Sequence, residues 1–413
     1  MAITDKDKKI IRELAKKVRE VANLPEQKEK TKMWLRHNRL ERVKPMVLIF
    51  PEGSWRELLP EKNLITTDPF CRDIERDLKM RLYYSEHLRD DSVIRGTIYS
   101  RIVINNSGWG VTISEILPND PLGAIHYKSV IKEEADIGKL RKPQLTIDQE
   151  ATEKNYQKLC ELVGEILPVE KRGVDSFQFC IIDHFAMRRG LDQLYLDMVD
   201  RPEWLHRILN FMVAGNLEML NFLEKNNLLS LNNNANYVGS GGLGFTDELP
   251  QPDFDGIQVR TKDLWGGATT QMFSEVSPAM HEEFALQYEK RLLERFGLNC
   301  YGCCEPLHKK IDIIRKHIPR LRRISMSPWV DVEEAAEKLG NNCIFSYKPN
   351  PAIVAGEEWN AEAVRHSIYN TLKKTRGCII ELIMKDVHTC RNQPPRLWEW
   401  TKIAMEVVNE FAS

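Results

Sequence analysis

Short apolar runs alternate with longer stretches of helical period along this chain, and the alternation becomes regular beyond residue 151. Residues 151–166 carry a helical pattern, and the apolar run 177–182 predicts a strand. A long helix is expected over 202–226, with Pro202 in its first turn and Asp200 as its cap. Further strands are predicted at 228–231, 256–262, 298–301, 321–326, 343–346 and 378–384. Helices are predicted between and after them at 277–296, 307–317, 331–339, 361–374 and 394–411. Upstream the pattern is looser. Ile10, Ile11, Leu14, Ala15, Val18 and Val21 recur at helical spacing, and Pro25 divides two charged helices. The run 46–50, closed by Pro51, reads as a buried strand, and 73–87 as an amphipathic helix. Residues 97–105 alternate like a strand, turned by Asn105–Gly108, with 110–113 as the expected hairpin partner. Residues 128–150 are polar and are expected on the surface.

Strands followed almost without exception by helices imply a parallel sheet with right-handed crossovers. Seven such strands, with 46–50 as an eighth, predict an α/β protein: a (β/α)8 TIM barrel with an N-terminal helical extension. The expected division is 1–45 for the extension and 46–413 for a single barrel, interrupted by an irregular insertion at about 70–150. On a barrel, functional groups sit just after the strands, at their C-terminal ends.

That rule selects the candidate chemistry. Asp183 and His184 follow the run 177–182, as candidates for acid–base contacts. Asn233 and Tyr237 follow 228–231, then a glycine-rich segment, 239–244, that matches no phosphate-loop pattern. It reads as a lid or a loop of close approach. Trp265 follows 256–262, and Tyr347 follows 343–346; with Asn233 and Tyr237 they are expected to line a substrate pocket. Cys303, Cys304 and Glu305 follow 298–301, and Lys385, Asp386, His388 and Cys390 follow the last strand. A catalytic zinc takes three Cys, His, Asp or Glu ligands and leaves one position open. Cys303, Cys304, Glu305, His388 and Cys390 form the candidate ligand pool, with Asp386 placed to orient His388. A nucleophilic cysteine with His388 as its base is the alternative. The bland readings are a hydrogen-bonded structural histidine at His184, a turn cluster of asparagines and a surface turn at Asp386. Cys180, Cys300, Cys343 and Cys378 lie inside predicted strands and read as core.

Charge adds exclusions. Lys and Arg number 59 against 60 Asp and Glu, so no electrostatic footprint for nucleic acid or an anionic membrane exists. Nine irregularly spaced cysteines do not form a disulfide framework. No apolar run approaches the roughly 18 residues of a membrane span. Met1–Lys6 is polar and has no apolar signal core, so a cytoplasmic location is expected.

Several stretches carry a family resemblance. They are Leu191–Asp200 with Arg201-Pro202-Glu203-Trp204-Leu205-His206, and Val276-Ser277-Pro278 with Glu282, Glu283, Phe284 and Tyr288. To these add Leu298–Gly302 with Cys303, Cys390 with Pro394-Pro395-Arg396-Leu397, and Met33-Trp34, Asn38 and Arg42 to Trp55. The chain resembles the uroporphyrinogen decarboxylase superfamily, in a long-chain branch similar to zinc- and corrinoid-dependent methyltransferases. The resemblance implies a zinc-assisted transfer of a methyl group from a small methyl ether or methylamine to a cobalamin-carrying corrinoid protein. A second copy of the chain is the further expected partner. Tyr301 stands where the family's His-x-Cys has its histidine, and the chain lacks a complete cobalamin Asp-x-His-x-x-Gly motif. An arginine-rich N-terminal segment for porphyrin carboxylates is also lacking near Phe50–Trp55. The rival readings are a metal-independent decarboxylase of the same superfamily and a non-catalytic ligand-binding barrel.

Overall fold

A computed structural model describes residues 3–412 apart from 117, 119–122 and 124. Its centre is a six-stranded parallel sheet, in spatial order Met46–Ile49, Ile379–Met384, Ile344–Tyr347, Leu321–Met326, Leu298–Tyr301 and Trp265–Ala268. The near-continuous apolar sequence of these strands follows from burial on both faces; Ile379–Met384 is buried at every position. The outer face is covered by helices including Pro278–His281, Ile311–His317, Val332–Leu339, Ala361–Lys374 and Pro395–Ala412. Beyond Trp265–Ala268 the sheet continues only through single parallel bridges, Phe179 to Ala268 and Val174 to Leu229. The α/β class and the parallel sheet match the sequence expectation, whereas the described strands do not close into a continuous eight-stranded ring.

The departures have local causes. The apolar run 177–182 breaks after Phe179, and the helix Ile181–Arg189 begins inside it. A short, uniformly apolar run satisfies either a buried strand or a buried helix. Asp183 and His184 therefore sit in the first turn of a helix. Residues 256–262 form turns, because the Asp255 carboxylate accepts the amides of Ile257 and Gln258 at 2.8 and 2.9 Å. The strand forms next door at Trp265–Ala268, whose glycines allow close packing: a Cβ on Gly266 would lie 2.5 Å from Phe296 Cγ. Residues 110–113 form no hairpin strand. Val103–Asn106 pairs instead with Leu145–Asp148, antiparallel.

The N-terminal helices pack into the fold. Asp5–Ala22 buries Ile11, Ala15 and Val18 against Cys71, Ile74 and Leu78 of Pro69–Tyr83 and against Leu159 and Leu162. Pro25–Asn38 reaches the sheet itself. Trp34 is fully buried, His37 Nε2 lies 3.1 Å from Glu381 Oε2, and Asn38 Oδ1 accepts from Arg323 Nη2 at 2.8 Å. Burial acts to raise the Glu381 pKa, but Arg323 and His37 beside it bring it down to about 2. The glycine-rich loop passes the same place. A Cβ on Gly241 would sit 2.0 Å from Arg323 Cδ, and one on Gly242 would sit 2.5 Å from the Trp34 ring. The loop is thus one of close approach, and it carries Ser240 to the ends of the strands. Among the described residues no helix is long and apolar enough to cross a membrane.

Candidate active site

Strand Leu298–Tyr301 ends at Gly302, which adopts φ +86 and gives its amide to Ala268 O at 2.9 Å. A Cβ there would lie 2.4 Å from Ser325 O, so the turn needs glycine for space as well as for its backbone angle. The turn presents Cys303 at the C-terminal ends of the strands. Its amide donates to Glu305 Oε2 at 2.7 Å, while Glu305 Oε1 accepts from Thr269 Oγ1 at 2.5 Å and Thr270 N at 3.1 Å. Glu305 is fully buried, and both its oxygens are occupied in bracing two neighbouring strand ends.

The Cys303 sulfur accepts a hydrogen bond from Ser240 Oγ at 3.0 Å and lies 3.3 Å from Cys304 Sγ. Cys304 Sγ also lies 3.5 Å from Asp386 Oδ2. Lys385 Nζ stands 3.5 Å from Ser240 Oγ and 3.7 Å from Glu52 Oε1. The Cys304 thiol, the charges of Lys348 and Lys385 and the Ser240 hydroxyl together outweigh burial and bring the Cys303 pKa down to about 6. Cys304 moves strongly upward, because its proton is held in the hydrogen bond to Cys303, the site is buried and its neighbour carries the negative charge. The pair gives up one proton readily and holds the second. The opposite shifts favour ionisation at Cys303, with the Cys304 thiol as hydrogen-bond donor, and a thiolate is the nucleophilic form of cysteine.

No family model and no curated protein matches this sequence. Among solved structures the chain is similar to a methyltransferase from Methanosarcina mazei, at 11% identity and a TM-score of 0.49. The likeness covers 93% of this chain and 99% of that one.

The remaining sequence candidates divide into those near the thiolate and those placed elsewhere. The Tyr237 ring packs 4.5 Å from Phe50, and its hydroxyl is buried without a partner. Asp386 reaches Cys304, yet it does not orient His388: with φ +59 it interrupts the extended alternation on which that pairing rested. His388 is exposed and lies against Gly53, where a Cβ would come 3.1 Å from its Nδ1. Cys390 Sγ instead donates to Glu57 Oε2 at 3.0 Å, and burial with that carboxylate pushes the thiol up to about 12. Asn233 braces its own loop on Thr246 O and Leu249 O. Trp265 is core, 1% exposed, with Nε1 donating to Gly244 O at 2.9 Å. Tyr347 is the last residue of its strand and packs edge-on to Phe345 at 6.1 Å. Asp183 accepts the amides of Gln271 and Met272 at 3.2 and 3.1 Å, and burial pushes its carboxyl up to about 6. His184 is exposed and its ring makes no hydrogen bond.

These placements test the expected zinc ligands. Among the described residues no three His, Cys, Asp or Glu side chains converge as a metal site. Glu305 is committed to its brace, and His388 and Cys390 have turned away. Tyr301, at the position of the family histidine, points to the helical layer: its hydroxyl donates to Glu289 Oε2 at 2.8 Å and lies 2.8 Å from His281 Nε2. The residues present do not fit the tetrahedral zinc that the resemblance implies.

The sequence reading gives no site role to Lys348, Lys385 or Ser240. The lysines had a legible signal, since each stands one residue past a strand end. Ser240 had none, because the loop that delivers it is placed only by the fold.

Proposed function

We propose that the protein is a transferase that moves a methyl group from a small methylated substrate, with Cys303 as the first acceptor. The Cys303 thiolate at the C-terminal ends of the strands carries this reading. The sulfur attacks the methyl carbon; an S–C bond forms, and the C–O or C–N bond of the donor breaks with its electron pair leaving on the heteroatom. Lys348 and Lys385 carry the nearby protons that can neutralise that leaving group, and burial makes Lys348 the stronger acid of the two. Ser240 and Cys304 hold the sulfur lone pairs in place. The second acceptor is the corrinoid protein that the family resemblance implies, and its removal of the methyl group returns the pair to the Cys303 sulfur. No step is routed through zinc.

The test is intact-protein mass spectrometry after incubation with isotopically labelled methoxylated aromatics and methylamines, with free cob(I)alamin as trap. The expected result is a gain of one methyl group on Cys303, chased by the trap and lost in Cys303→Ala. Demethylation that persists in Cys303→Ala would overturn the reading. One observation favours a second reading: the buried Lys348 ammonium suits a decarboxylase of the same superfamily. That enzyme would release carbon dioxide independently of Cys303.

A further inference from the structure

Lys348 is anchored by its backbone, whose amide donates to Met326 O at 3.1 Å, and its side chain is 2% exposed. Its Nζ has no hydrogen-bond partner. A buried ammonium without an acceptor is costly unless something of opposite charge completes its surroundings. The negative groups facing it are the Cys303–Cys304 pair and Glu305, and it is opposed by Lys385. Glu305 is already saturated by Thr269, Thr270 and the Cys303 amide. The thiol pair holds one charge, and Lys385 shares it while also facing Glu52 and Asp386. The buried hydroxyl of Tyr237, which feels the charge of Cys303, is a further donor without a partner. Lys348 Nζ and the Tyr237 hydroxyl are thus buried without an acceptor of this chain, whereas Lys385 already faces Ser240 and Glu52.

We infer that Lys348, with Lys385 and Tyr237, forms a subsite beside Cys303 for an anionic group of the substrate, a carboxylate. The inference rests on Cys303 being the reacting group, and it narrows the donor to a small methylated acid. The carboxylate completes the hydrogen bonding of Lys348 and fixes the methyl carbon in front of the sulfur.

A pair of alkylating probes tests this. Iodoacetate and iodoacetamide react alike: the thiolate attacks the methylene carbon, an S–C bond forms, and iodide leaves with the C–I electrons. Only the first carries a carboxylate. Alkylation rates are read by mass spectrometry on the Cys303 peptide of the full chain. Iodoacetate should react faster by roughly tenfold, a ratio within reach of one charge-assisted hydrogen bond, and its rate should saturate. Lys348→Met should reverse the preference and Lys348→Arg should retain it. On the unsubstituted protein, acetate should protect Cys303 from iodoacetamide and acetamide should not, so the test survives a variant that fails to fold. Faster labelling by iodoacetamide, with no protection by acetate, overturns the subsite and leaves the thiolate reading standing. Failure of both probes to label Cys303 overturns the thiolate reading itself, and the subsite with it.

Discussion

A thiol that shares its proton with a neighbour 3.3 Å away and faces two lysines titrates early. Alkylation of Cys303 by iodoacetamide should therefore rise with pH around about 6, where an ordinary thiol rises near about 8.5. Cys304→Ala removes the first cause of that shift, so the midpoint should move upward; an unchanged midpoint in rate-against-pH measurements would assign the effect to the lysines alone. A second residue has the opposite character. Burial pushes the Glu289 carboxyl from its usual 4.5 up to about 8, against the hydrogen bonds from Thr270 and Tyr301. The folded state then binds the proton more tightly than the unfolded chain. Its contribution to stability is present below about 4.5, and it is lost as pH rises to about 8. Urea unfolding at a series of pH values should show Glu289→Gln gaining on the wild type across that window. The two residues differ in legibility. Three cysteines within 300–304 announce themselves in sequence, whereas Glu289 is one of many helical glutamates until its burial is known.

The elements show what local pattern can and cannot decide. The strands Leu298–Tyr301 and Leu321–Met326 fall where the sequence places them, because the apolar positions of a largely buried parallel strand cluster within a few residues even where Asn299 and Arg323 interrupt them. Trp265–Ala268 was missed since two glycines read as a loop, and only the packing of Phe296 against Gly266 explains them. Gly302 links element to site. Gly302→Ala sets a side chain at φ +86 and against Ser325 O. It should cost about 1–3 kcal/mol of stability. The same change should raise the Cys303 alkylation midpoint by shifting the sulfur from Ser240. A normal midpoint in a destabilised variant would separate the turn from the chemistry.

At the scale of the molecule, the helix Pro25–Asn38 and the loop carrying Gly241 meet the sheet at one buried ion pair, Arg323 with Glu381, whose Nη2–Oε2 distance is 3.1 Å. Glu381→Leu leaves the guanidinium buried without a counter-charge, with the neutral Asn38 Oδ1 and Cys300 sulfur as its acceptors. Breaking one side of such a pair typically costs about 3–5 kcal/mol, and the urea midpoint should fall accordingly. The metal is also a question for the whole molecule, because its expected ligands come from two segments, 303–305 and 388–390, whose ligand side chains do not converge. Purified protein should hold zinc well below one ion per chain, and chelator should leave its Tm unchanged. Stoichiometric zinc released by Cys303→Ala would overturn that placement.

By itself the sequence determined the α/β class, the order of strands and helices after residue 277, and the crowding of thiols at a strand end. Periodicity and turn residues act over a few positions, so one chain suffices to show them. Only the tertiary structure decided which side chains meet at that end. Alternation along the strand turns Tyr301 toward His281 and Glu289 and away from the thiolate. The positive φ of Gly302 redirects Cys303 to Ser240, and two lysines from separate strands stand beside it without a carboxylate to match Lys348. Such meetings join residues far apart in sequence, and their partners are set by the packing of the sheet.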